Sequence, residues 1–161
     1  MENKTKDLWV ALRIVLGLIF LWAFFDKLIG LGFSTLPEKA WLLGNSPTTG
    51  FLTNTKGLFS PIFHSLAGVV LIDWLFMLGL LLIGISLLFG IALRLFSYLG
   101  TLLMFLLWLA SVPPASNPLL DSHIVYGLVL VGIAMTKPYY GFGFGKSYYK
   151  CNLVKKYQIL Q

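Results

Sequence analysis

Cysteine is almost missing from this chain: there is one, Cys151, in 161 residues. A single thiol excludes a disulfide framework, a thiolate metal cage and a CxxC redox pair. Histidine is nearly as scarce. His64 and His123 lie in different segments, and no CxxCH is present, which argues against a resident haem. No GxGxxG follows a strand, so a Rossmann flavin or nicotinamide site is excluded, and no HExxH or His/Asp cluster marks a metal site. Charge is the third shortage. Asp, Glu, Lys and Arg make up 11% of the residues, less than half of the roughly 25% usual in soluble domains. Hydrophobic residues make up 58% and aromatics 16%, with a mean hydropathy of +0.85. This composition excludes a disordered chain and describes a protein embedded in a lipid bilayer.

What is present is a set of long apolar runs, at 8–31, 72–90, 95–112 and 119–136. A helix needs roughly 20 residues to cross about 30 Å of hydrocarbon. Runs such as LLLIGISLLFG show no period-2 alternation, so barrel strands are ruled out. Backbone hydrogen bonding in lipid then leaves an all-α, four-transmembrane-helix bundle. A single membrane domain covers residues 1–138, and a tail covers 139–161. No small-residue cleavage motif follows the first run, which reads as a retained span.

Orientation follows from lysine and arginine. With the N-terminus inside, Lys4, Lys6, Arg13, Arg94, Lys137, Lys146, Lys150, Lys155 and Lys156 face the cytoplasm. Lys27, Lys39 and Lys56 face outward, a nine-to-three split. The sequence therefore predicts a multi-pass cell-membrane protein with both termini cytoplasmic. The net charge of +6 is accounted for by topology and contact with anionic lipid, with no need for nucleic acid.

The external loop, 32–71, is too long for a plain connector. Pro37 opens and Gly44 closes a short helix there, and a second apolar patch spans 58–64. Both pieces read as interfacial or re-entrant, either a loop anchored by aromatics at the headgroups or a lid over a substrate site. The tail's Gly141-Phe-Gly-Phe-Gly-Lys146 run lacks the spacing and preceding strand of a phosphate loop.

Charges inside the apolar runs carry the functional signal. Arg13 and Asp26 are about 20 Å apart along one helix, as are His123 and Lys137 along another. Such helices cannot hold both charges at the two interfaces of a layer about 30 Å thick. Arg13 and Lys137 are expected to snorkel; Asp26, Asp121 and His123 are too short to do so. They predict a polar pocket in the outer half, with Asp73 as a third wall. Lys27 would pair with Asp73 or Asp121, and Asp26 with Lys39 or His123. The bland alternative is that these groups mark helix ends reached by water. Gly79, Gly84 and Gly90, with Ser86-xxx-Gly90 and Ser97-xxx-Thr101, read as close helix packing sites. With no redox centre of its own, the chain would depend on a diffusible membrane cofactor or a partner. Outer-half aromatics, Trp22, Phe24 and Tyr126 among them, read either as bundle packing and an interface belt or as a surface that would sandwich a quinone ring while Asp121 and His123 supply protons.

The segments LRIVLGLIFLWAFFDKLIGLGF, PEKAWLLGNSPTTGFL, DWLFMLGLLLIGISLLFG and PASNPLLDSHIVYGLVLVGIA together resemble the DoxX/DoxD membrane family. The resemblance runs from about residue 8 to 136 and leaves the tail outside. It implies a subunit of a quinone-linked oxidoreductase, passing electrons from thiosulfate or another small sulfur anion to membrane quinone, beside a second subunit or in a homo-oligomer. In that reading Asp121, His123 and Asp26 are catalytic. Lys27, Lys39, Asp73, Trp41 and His64 form the substrate site, with Lys27, Lys39 and His64 attracting the anion, and Trp22, Phe24 and Tyr126 bind quinone. No metal, haem or flavin belongs to the chain. The competing reading is a non-enzymatic scaffold or a small-solute exporter of the same family.

Overall fold

A computed structural model describes residues 2–113, 117, 119–139 and 142–160. Pro114, Ala115, Ser116 and Pro118 of the short link, and Tyr140 and Gly141 of the tail, lie outside the described residues. The chain is all-helical, with 73% helix and no strand among the described residues. Its helices are α1 (Glu2–Ile29), α2 (Thr49–Thr53), α3 (Ser60–Leu66), α4 (Val70–Phe89), α5 (Leu93–Ser111), α6 (Ser122–Thr136), α7 (Gly145–Tyr148) and α8 (Asn152–Lys156). Three 3-10 turns, Pro37–Lys39, Trp41–Leu43 and Gln158–Leu160, complete them.

Among the described residues, three helices, α1, α4 and α5, are long and apolar enough to cross a membrane. Leu18, Trp22, Leu75, Leu82, Leu102 and Leu106 project outward from them with 43–59% of their surface exposed. Apolar exposure on that scale is stable against lipid tails, not water. Helix α6 is apolar but has 15 residues, about 22 Å of rise. It starts at Ser122 and not at residue 119, because Asp121 caps it.

One core joins these helices. Leu16, Phe20 and Phe24 of α1 meet Met77, Leu80, Ile83 and Leu87 of α4, Leu93 and Met104 of α5, and Leu130 and Ile133 of α6. Neighbours run antiparallel. Glycine sets the α1–α4 approach: a Cβ on Gly17 would lie 2.8 Å from the Leu88 nitrogen, and one on Gly84 would lie 2.7 Å from Leu21 Cγ. Gly100 sits where α4, α5 and α6 meet, between Leu130 and Ile83. One packing expectation is corrected: Gly79 faces open space. Gly90 is a close approach, where a Cβ would lie 2.6 Å from Arg13 Nη1 of α1, and it is also the left-handed cap that ends α4 (φ 75°). Ser86 Oγ donates to the Ile91 carbonyl and tightens that turn.

The residues between α1 and α4 fold back over one end of the helices, here termed the loop end. Leu52 and Phe63 pack with Ala110 of α5 in a second core, flanked by Phe59, Leu66 and Ile72. The segment expected to be one helix from Pro37 to Gly44 is two 3-10 turns separated by the extended Ala40, and Gly44 stops it at φ 84°. Trp41 meets Trp74 of α4 edge to face, with ring centres 4.8 Å apart. The tail residues pack on the opposite end, the tail end.

Candidate functional site

Charges buried in apolar surroundings need hydrogen-bond partners, and three of them find partners that fasten the fold. Asp26, 1% exposed, accepts from the backbone N–H of Phe33 (3.2 Å) and Ser34 (3.0 Å) and from the Ser34 hydroxyl. Its carboxylate holds the chain where it turns out of α1. Asp73, in the first turn of α4, accepts from the hydroxyls of Ser46 (2.8 Å) and Thr48. Ser46 Oγ in turn accepts from the Thr49 N–H and hydroxyl. A negative charge in that turn also complements the helix dipole. Asp26 and Asp73 thus take separate loop partners, in place of the expected pairings with Lys39, His123 or Lys27.

Arg13 was expected to reach headgroups and does not. It is fully buried. Its guanidinium donates to the carbonyls of Leu87 (2.9 Å) and Phe142 (2.7 Å), with a longer contact to Leu88. The last carbonyls of a helix lack partners within it, so Arg13 of α1 serves as the end cap of α4 and ties the tail to it.

Asp121 and His123 form a different kind of unit. Asp121 has extended backbone (φ −140°) and caps α6, accepting from the N–H groups of His123 and Ile124. Asn117 Oδ1 accepts from Leu119 and Leu120 and shapes the approach to that cap. The second carboxylate oxygen of Asp121 lies 2.6 Å from His123 Nδ1. The side chains are 13% and 28% exposed, respectively, so the pair is shielded yet reachable. A carboxylate on Nδ1 fixes the ring tautomer and leaves Nε2 as the atom that gives or takes a proton.

The surroundings of His123 are set by the α5–α6 contact. Gly127, one turn further along α6, faces Met104 and Thr101 of α5. His123 lies on that same face, and antiparallel packing puts it level with Trp108. Trp108 Nε1 donates to the Leu119 carbonyl at 2.9 Å, and its ring lies 5.7 Å from that of Phe105. Phe105 is half exposed on the outer surface.

The remaining sequence candidates are dispersed. Lys27 is half-buried, with its ammonium 6.0 Å from the centre of the Phe76 ring. Lys39 is exposed in the first 3-10 turn. His64 is exposed on α3, its Nε2 3.0 Å from the Thr55 carbonyl. Trp22 is exposed beside Phe33, while Phe24 lies in the core and Tyr126 packs against it. Sequence reasoning missed Ser34, Ser46 and Thr48, which engage the buried carboxylates. The Ser-Pro-Thr-Thr cluster at 46–49 was the available signal for Ser46 and Thr48. Among the described residues, no group of three or more His, Cys, Asp or Glu side chains could hold a metal ion. No family model, curated protein or solved structure matches this chain.

Proposed function

We propose that this chain is the membrane subunit of a quinone-linked oxidoreductase of the DoxX/DoxD kind, and that Asp121 and His123 handle its protons. The observation that carries this reading is the short Asp121–His123 contact at the start of α6. Asp26, Asp73 and Arg13 are occupied as fasteners, which leaves this pair as the ionisable unit suited to chemistry. In this reading α6 is a fourth, short span, both termini are cytoplasmic, and the loop end faces outward. The exposed apolar faces of Val125, Leu128 and Met135 on α6 support the fourth span.

Apolar rings near the start of α6 support a quinone site: Trp108 bonds to the Leu119 carbonyl, two residues before the Asp121 cap, and its ring meets that of Phe105. A bound quinone supplies a two-electron, two-proton acceptor. His123 presents a proton at Nε2; Asp121 holds the Nδ1 proton and stabilises the charged ring. Asp121 keeps capping α6 throughout, so the imidazole stays aimed. The electron donor in this reading is a small sulfur anion such as thiosulfate, two of which couple to tetrathionate as two electrons leave. Lys27 is the cation nearest the loop end of α1 that would attract it.

The test is direct. An organic extract of the purified protein should contain quinone, and thiosulfate should bleach added quinone in its presence. Asp121→Asn should slow the bleaching at least tenfold, as expected for the loss of assisted proton transfer. A second reading, a non-enzymatic scaffold, is favoured by the use of Asp26 and Asp73 to fix the loop rather than to line a pocket. Absence of quinone together with retained binding to a soluble partner would select it.

A further inference from the structure

The proposed function leaves the tail unused. Residues 137–161 contain five lysines and no Asp or Glu. The tail is built onto the ends of the spans. Arg13 holds the Phe142 carbonyl, and the Phe144 N–H donates to the carbonyl of Phe89, the last residue of α4. The Phe89 ring stacks with Phe142 and with Phe144, at centre distances of 6.4 and 5.7 Å. Arg94, at the start of α5, donates to the Gln158 carbonyl. The tail therefore lies at the level where α4 ends and α5 begins, the edge of the hydrocarbon layer.

At that level two kinds of side chain remain uncovered. Phe142 and Phe144 are 59% and 64% exposed, and Tyr157 and Ile159 are half exposed. Lys146, Lys150, Lys155 and Lys156 are exposed too. Aromatic rings beside lysines are the composition of a bilayer interface, and clustered lysines there attract anionic lipid. We propose that the docked tail is a recognition surface for anionic lipid headgroups, its rings seated at the acyl boundary and its lysines among the phosphates. Charge complementarity selects this occupant: a tail with four exposed lysines and no Asp or Glu has a negative lipid leaflet as its counterpart.

Cys151, the chain's single thiol, is exposed within this tail and allows a test on the full protein. Native mass spectrometry from bilayers of equal phosphatidylglycerol and phosphatidylcholine should show retained phosphatidylglycerol. Each lysine changed to glutamine, among Lys146→Gln, Lys150→Gln, Lys155→Gln and Lys156→Gln, should lower that preference about fivefold. A nitroxide on Cys151 should be shielded from a water-soluble relaxant in bilayers containing phosphatidylglycerol. It should be less shielded in phosphatidylcholine alone and in the fourfold variant. Equal retention of the two lipids by the wild-type chain, or a preference that survives in the fourfold variant, would overturn the proposal.

Discussion

Arg13→Met separates two roles that one side chain holds. The guanidinium makes two close hydrogen bonds, to Leu87 and Phe142. Bonds from a charged donor contribute about 1.5–3 kcal/mol each, so their loss costs about 3–6 kcal/mol. Removing a buried cation also returns part of its desolvation cost, so the net effect on the whole fold is smaller than that sum. The tail feels the whole loss, because methionine donates nothing to the Phe142 carbonyl. Hydrogen exchange at the Phe144 amide, and trypsin cleavage after Lys146 and Lys150, should rise sharply while the amides of α4 and α5 stay protected. Arg13→Lys should give an intermediate result, since one ammonium cannot reproduce a fork that reaches two carbonyls. Wild-type protection of the tail in Arg13→Met would refute the latch.

Asp26→Ala should destabilise the protein by about 3–5 kcal/mol, since three donors from Phe33 and Ser34 lose a charged acceptor; denaturant unfolding in detergent measures this. Thr48→Val leaves the buried Asp73 carboxylate one donor short and should cost about 1–3 kcal/mol, with faster proteolysis of the loop as the local sign. Gly17→Val drives a side chain against the Leu88 nitrogen and should lower stability by about 1–3 kcal/mol, read as a reduced Tm. Tyr149 is raised from its ordinary value of 10 to about 12, chiefly by burial. Below pH 10 the phenol is neutral in both the docked and the free tail, and its contribution to docking is fully present. That contribution is lost as pH rises from 10 to about 12. Tyrosinate absorbance should report this release, and Tyr149→Phe should abolish it.

The helices were legible because apolar length is itself the membrane signal. The buried face of α1 carries Arg13, Gly17, Phe20 and Phe24 at helical spacing. Partner choice was not legible. Sequence pointed Asp26 toward lysine or histidine because opposite charges are the obvious match, but it accepts from backbone N–H groups eight residues or fewer away. Arg13 was read as snorkelling because its neighbours are greasy. Only the fold reveals that two runs of carbonyls, from α4 and from the tail, end beside it. Asp121 and His123 stand two residues apart, so their proximity was local and visible. That Asp121 is also the cap that begins α6 explains why the helix is shorter than the apolar run.

The central claim is that the Asp121–His123 pair does chemistry while the other buried charges hold the structure. Asparagine caps helices about as well as aspartate, so Asp121→Asn separates the two roles. The decisive measurement is quinone reduction per folded protein in reconstituted bilayers with thiosulfate, alongside Tm. The account predicts measurable reduction by the wild-type chain and at least a tenfold loss in Asp121→Asn at nearly unchanged Tm. No reduction by the wild type, or full activity in the variant, would contradict it.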